Sequence, residues 1–284
     1  MIQQIQVSSH GAELQSLVAN GREYLWQGDP KFWGRRAPIL FPIVGRLAND
    51  ILRIDGHEYT MKQHGFVRDA EFVQRNGKYV LVEDGSRENY PYAFELVAEY
   101  TTRGNTLICD WNVTNRDDRT MYFQIGTHPA FLLPDYNAAD EIHGYIQCYD
   151  ASEKVVSPMV FNCLENGLRV HYGEPKVLIN DKAILALTNT TFADDAILIE
   201  ANQVAQVSLF DKRGKRVLTV SCPQVEAFGL WSPNKLGCPF VCIEPWCGIA
   251  DREGFKGEIS ERDCIHSLAP NKTYNFKYSI SITE

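Results

Sequence analysis

The chain has 284 residues, long for one small domain and short for three. Its hydrophobic fraction of 44% supplies enough apolar material for a large core and excludes a disordered chain. Lys and Arg number 28 against 36 Asp and Glu, a net charge of −8, and the longest basic run is Arg35-Arg36, so a small neutral ligand is a better expectation than nucleic acid.

The first residues, MIQQIQVSSHGAEL, lack the basic-then-apolar order of a signal peptide. No window approaches the roughly 18 uncharged apolar residues that cross a bilayer. Turn signals that supply positive φ cheaply then recur: Asn20-Gly21, Asp55-Gly56, Asn76-Gly77 and Asp84-Gly85. From Phe94 to Tyr100 the even positions are apolar, and from Leu107 to Val113 the odd ones are. Further turns follow at Asn166-Gly167 and Lys212-Arg213-Gly214. The run Phe276 to Ile282 alternates without error, as a strand with one buried face should.

Candidate strands number about 18–22, at the spacing of sandwiches and barrels. No stretch of about 12 residues holds a helical period. Short helical turns are expected only around Pro38 to Pro42 and after Pro129. No linker, low-complexity segment or internal repeat divides the chain. The expectation is one all-β domain over residues 1–284, built as a wide sandwich of largely antiparallel strands curling over a groove.

Eight cysteines in a chain of this kind fit reduced thiols in a cytoplasm. Cys238, Cys242 and Cys247 are spaced by four and five, without a Cys-x-x-Cys, and read as buried thiols rather than zinc ligands. Of seven histidines, His10, His57, His143, His171 and His266 have unremarked surroundings and fit solvated or hydrogen-bonded rings. His64, opening His-Gly-Phe-Val-Arg68, and His128, in Gly126-Thr-His-Pro129, are framed by Gly and Pro and suit side chains held at strand ends.

Glu244 lies in Phe240-Val-Cys-Ile-Glu-Pro-Trp246. Alternation sets Val241 and Ile243 on one face and Cys242 and Glu244 on the other, and Pro245 is expected to end the ladder. A carboxylate among such residues is either paired, for instance with Arg46, or functional as a general base. Arg46 closes an apolar segment and presents donors suited to hydroxyl-rich or carboxylate ligands. Phosphate-loop, dinucleotide, nucleophile-elbow and zinc-protease motifs are absent from the sequence. Two histidines, an arginine, a glutamate and many aromatic rings remain, a set suited to holding sugars.

Four segments, Phe41-Pro-Ile-Val-Gly-Arg46, His64-Gly-Phe-Val-Arg68, Gly126-Thr-His128-Pro and Ile243-Glu-Pro-Trp246-Cys-Gly-Ile-Ala-Asp251, occur in the order of the aldose 1-epimerase (galactose mutarotase-like) family. The chain resembles the LacX-type branch most, over its whole length. The resemblance implies a β-supersandwich and anomer interconversion with no cofactor and no metal. It assigns hydroxyl binding to Arg46 and His64, the general acid to His128, and the general base to Glu244. The substrate-orienting aspartate falls in Phe192-Ala-Asp194-Asp195-Ala, with Asp195 favoured over Asp194.

Galactose mutarotases carry Gly-Gly after the first histidine and Tyr-Phe-Asn after the second; Gly65-Phe66 and Pro129-Ala-Phe131 stand here. His-Gly-Phe also resembles the hexose-6-phosphate epimerase branch. Three readings therefore compete: a free-aldose epimerase, a hexose-6-phosphate epimerase, and a non-catalytic sugar-binding or sensor protein. Arg35, Arg36 and Arg68 are expected to serve as structural or rim charges. The expected partner is a small sugar, not nucleic acid or membrane, with the chain a monomer or homodimer in the cytoplasm.

Overall fold

Two antiparallel sheets share the load of burying this chain. The computed structural model describes residues 1–177 and 184–283. The larger sheet has ten strands. Its centre is the ladder of Ala93–Arg103, Thr106–Asn115 and Thr273–Ile282, the segments whose alternation was plainest. Phe94, Leu96, Ala98, Leu107, Cys109, Trp111, Val113, Phe276, Tyr278 and Ile280 are all buried, on one face. Period two in the sequence thus becomes a continuous apolar wall.

The smaller sheet has six strands, in the order Ile197–Ile199, Ala227–Trp231, Phe240–Cys247, Ile125–Thr127 and Ile39–Leu40, with Ala130–Leu132 also on Phe240–Cys247. Phe131, Phe228, Leu230, Val241, Ile243 and Cys247 join the wall of the large sheet in one hydrophobic cluster. The result is an all-β β-supersandwich with the site-bearing sheet as its second layer.

The turns behave as their residues dictate. Asp55-Gly56 joins Ile51–Ile54 to His57–Thr60 with φ of 52° and 77°. Asn76-Gly77 and Asn166-Gly167 do the same for their hairpins, at 50° and 78° and at 52° and 78°. Such paired positive angles match the twist of the flanking strands. Asp84-Gly85 instead opens a longer connection to Ala93.

The structure corrects three local expectations. The described residues hold 25 strands, more than the sequence count, because several are two- or three-residue pieces. Helical turns occur at Ala48–Asp50, Val67–Asp69 and Ile259–Glu261, not around Pro38 to Pro42 or after Pro129. Those two segments are the strands Ile39–Leu40 and Ala130–Leu132. Their prolines lie outside the paired residues, where the missing N–H interrupts nothing and the carbonyls still accept: Pro38 from His128 N–H at 3.2 Å, Pro42 from Gln124 N–H at 2.8 Å. Finally, Pro245 does not end its strand, which runs on to Cys247 and pairs with Ala227–Trp231 throughout.

Gly65 locks the segment that carries His64 against the small sheet. Its φ is 71°, and a Cβ there would fall 2.1 Å from the Phe41 carbonyl oxygen. The same oxygen accepts the N–H groups of Phe66 and Val67. Gly56 has a similar φ of 77° but open space around it. Gly65→Ala should therefore cost about 3 kcal/mol or more, and Gly56→Ala only about 1 kcal/mol. Urea midpoints at unchanged slope test this; equal losses at the two sites would refute the steric account.

Candidate active site

The Phe240–Cys247 strand is buried along its full length, so both of its faces are inside the protein. The odd residues face the common core. The even ones, Cys242, Glu244 and Trp246, face away from it, as alternation required. On one side Glu244 pairs with Gly229, whose missing side chain leaves room beside it.

On the other side the neighbouring strand is broken. Ile125 pairs with Cys247 and Gly126 with Trp246; after a gap, Ala130 pairs with Cys242. Both pieces keep the same register, so carrying it through the gap sets His128 opposite Glu244. Ile243 N–H donates to the Pro129 carbonyl at 3.1 Å. Two residues on, at the same edge, Pro245 has no N–H, and it sits at the gap where none is needed.

His128 Nε2 stands 3.2 Å from Glu244 Oε2, off the line of a hydrogen bond, so Oε2 has no hydrogen-bond partner among the described residues. Glu244 is 1% exposed and His128 8%. Burial lifts the Glu244 carboxyl well above its ordinary range, and the Asp195 charge adds to the rise. The Trp246 indole N–H pulls the other way, although no hydrogen bond closes between them. Burial, helped by the Arg68 charge, drops His128 to about 3.

The pair's own attraction at this distance is about 5 kcal/mol at an effective dielectric of 20. Stripping water from both ions costs several kcal/mol for each. The empty site therefore favours the neutral form, one proton on Glu244 and none on His128 Nε2.

Three tryptophans enclose these groups. Trp33 stacks on His128 with ring centres 4.6 Å apart, Trp231 meets it edge-on at 5.5 Å, and Trp246 lies 6.0 Å from the His64 ring. His64 is 6% exposed, with a φ of 66°. Gly45 N–H donates to its Nδ1 at 3.1 Å. Burial, with His128 and Arg68 nearby, holds the His64 ring far below its usual pKa. The neutral ring must then carry its hydrogen on Nε2, which becomes a donor 3.4 Å from the Gln63 side-chain amide.

Arg46 is not the partner of Glu244. Its Nε and Nη2 grip Asp50 at 2.8 and 3.0 Å, and Nη1 donates to the Asn166 carbonyl at 3.0 Å. Three of its five N–H bonds are thus used and two are left for a ligand. Asp195, at a φ of 81°, accepts the Ala196 N–H and is exposed by area yet packed on one side, which raises its carboxyl.

Arg46, His64, His128, Asp195 and Glu244 all line one cavity of about 420 Å³. Asp194 does not line it. That volume lies in the range of small-molecule sites. The remaining wall includes Trp33, Gln63, Arg68, Trp231 and the Asn166-Gly167 turn. Sequence reasoning noted Asn166-Gly167 only as a turn and missed Trp33, Gln63 and Trp231. A tryptophan beside Gly34, and another ending Ala227-Phe-Gly-Leu-Trp231, were the available signals.

The other expectations divide. Arg35 pairs with Asp69 and Arg36 donates to Gln15, both outside the cavity wall. Arg68 is different: it lines the cavity, makes no ion pair among the described residues, and leaves its Nε without a partner. Burial and the Arg35 charge lower it to about 10. All eight cysteines are free thiols, and Cys238, Cys242 and Cys247 are buried. His143 is buried, 3.0 Å from Asn189 Oδ1, and His10 is 2.7 Å from Glu71. Among the described residues no helix is long and apolar enough to cross a membrane.

Comparison with known proteins gives the family. The family model described as aldose 1-epimerase matches residues 3–281. The chain is 31% identical to the chromosomal protein LacX of Lactococcus lactis, over 98% of this chain and 96% of that one. A galactose mutarotase related enzyme from Lactobacillus acidophilus superimposes with a TM-score of 0.86 at 31% identity, covering 99% of this chain and 94% of its own. A galactose mutarotase-like protein from Lactobacillus casei gives the same TM-score at 26% identity, covering 98% and 96%. Match and fold together place the chain in the aldose 1-epimerase family, a family of isomerases.

Proposed function

We propose that this chain interconverts the α and β anomers of a free aldohexose, with His128 and Glu244 as the proton-transfer pair. The observation that carries the reading is their 3.2 Å separation inside a cavity that also holds Arg46, His64 and Asp195. The C1 hydroxyl and the ring oxygen hang on the same carbon. An acid and a base a hydrogen bond's length apart can therefore serve both at once.

One proton suffices for the pair. With it on His128, Glu244 accepts the proton of the C1 hydroxyl while His128 protonates the ring oxygen. The C1–ring oxygen bond breaks, leaving an aldehyde, a protonated Glu244 and a neutral His128, the form that burial favours. Rotation about C1–C2 presents the other face of the aldehyde, and the transfers run backwards. Arg46, the Nε2–H of His64 and the Asp195 carboxylate hold the hydroxyls in reach. No leaving group and no cofactor enter this scheme. The reduced thiols suit a cytoplasmic protein, active as a monomer or homodimer.

A second reading has one observation behind it. Arg68 is a half-buried guanidinium in the cavity wall, and its Nη2 donates to the Gln63 carbonyl at 2.7 Å. It makes no ion pair among the described residues and leaves Nε without a partner, a lack that an anionic substituent on the sugar would satisfy. Glucose and glucose 6-phosphate should be turned over with similar kcat/KM. A strong preference for the phosphate that Arg68→Gln abolishes would establish the second reading instead.

Polarimetry of freshly dissolved α-glucose and α-galactose tests the activity itself. Glu244→Gln should lower kcat by about 10²–10⁴ with KM nearly kept, and His128→Asn should match it. The double variant should lose far less than the product, because the two act as one unit. Asp195→Asn should lose less, partly in KM. Wild-type rates in Glu244→Gln would move the base elsewhere, with Asp195 first in line.

The pH profile is a separate check. The pair holds one proton between the second protonation of His128, near 3, and the raised pKa of Glu244. The kcat/KM should therefore show no acidic fall as pH drops from 7 to 5. An acidic limb centred near 6.5 would mean that His128 titrates as a solvated histidine.

A further inference from the structure

The site holds a third group that proton transfer does not use. Cys242 lies two residues before Glu244, on the same face of the strand, and is fully buried. Its thiol, one ring nitrogen of His128 and one carboxylate oxygen of Glu244 all lie within 4.8 Å of one another. We propose that His128, Cys242 and Glu244 form a binding site for one borderline-soft divalent cation of the zinc type, and that filling it switches the sugar site off. The inhibitory half rests on the roles proposed for His128 and Glu244; the binding half rests on geometry alone.

Tetrahedral zinc, with bonds of about 2.0–2.3 Å, sets its ligand atoms about 3.3–3.8 Å apart. Nε2 and Oε2 are already at 3.2 Å, so the closure required is a small movement of the Cys242 side chain. The donor set is thiolate, imidazole and carboxylate, which suits zinc and its neighbours and not magnesium or calcium.

An unmet demand also exists at this spot. Glu244 Oε2 is buried and has no hydrogen-bond partner among the described residues. A divalent cation between thiolate and carboxylate makes a neutral unit, with the thiol and carboxyl protons released to solvent. The fourth position opens toward the sugar cavity, where water completes the shell. Coordination removes the base lone pair of Glu244 and the proton-carrying nitrogen of His128 together, so neither half of the ring opening can proceed.

Cys242 has no part in the proposed chemistry, which makes it the residue to change. A Cys264→Ser background removes the exposed thiol that could bind metal elsewhere. Titration of the metal-free protein with Co²⁺ should give one equivalent with a thiolate-to-metal charge-transfer band and the intense visible bands of four-coordinate cobalt. Cys242→Ser, nearly isosteric, and Cys242→Ala should each lose the charge-transfer band.

Zn²⁺ should inhibit mutarotation competitively with sugar. That inhibition should weaken by about 10–100-fold in both variants, while their metal-free kcat stays within about twofold of wild type. No thiolate band in the starting protein, or equal Zn²⁺ inhibition with and without Cys242, would overturn the site. A protein that shows the band yet no mutarotation without metal supports the metal site and refutes the proposed function.

Discussion

Everything at the site depends on one gap in one ladder. A strand buried on both faces normally offers no room for a ligand, because its neighbours occupy both edges and other layers cover its faces. Here the neighbour of Phe240–Cys247 stops at Thr127 and resumes at Ala130 in the same register. The unpaired residues between them include His128, which is thereby set against Glu244 without leaving the sheet. Gly126 beside the gap and Gly229 on the opposite edge of the strand each stand where a Cβ would come within 3.0 Å of the Trp246 ring. His128 and Glu244 thus meet at a place defined by backbone pairing rather than by loop conformation, as the proposed proton transfer requires.

A buried polar network holds the opposite wall. Arg262 is 4% exposed; its Nε donates to Asp251 at 2.7 Å and its Nη1 to Gln124 at 2.9 Å. Asp251 accepts the Ala48 N–H and donates its own N–H to the Arg46 carbonyl, while Gln124 Oε1 accepts the Val44 N–H. The segment from Val44 to Ala48, which carries Gly45 and Arg46, is held on both sides of the arginine. A buried ion pair of this kind is weak evidence for stability. Its value here is orientation: it holds the backbone that donates to His64 and presents Arg46.

Much of the fold was legible because its signals are local. Strict alternation in residues 94–100, 107–113 and 276–282, and the Asp-Gly and Asn-Gly pairs, need no distant partner to be read. The segments at Pro38 to Pro42 and after Pro129 were misread because their strand character comes from partners far along the chain. Arg46 forms no ion pair with Glu244, since Asp50, four residues from the arginine, holds the guanidinium. Trp33, Gln63 and Trp231 stayed invisible for a related reason: they reach the cavity only through long-range packing. Arg68 was visible as a cation, but its lack of an ion pair among the described residues exists only in three dimensions.

The Met159–Glu165 and Leu168–Val177 hairpin completes the cavity in an unusual way. Arg46 grips the carbonyl oxygen of Asn166, not its side chain, and a Cβ on Gly167 would fall 3.3 Å from the Arg46 Cβ. The hold on the arginine there is a main-chain one. For a diverging lineage this separates two kinds of change. Residue 166 can be exchanged wherever a positive φ is tolerated, and Arg46 would meet the same carbonyl oxygen. Insertion or deletion of a single residue in the turn moves that oxygen away from Arg46, so hairpin length, not hairpin composition, is what selection on this site can see.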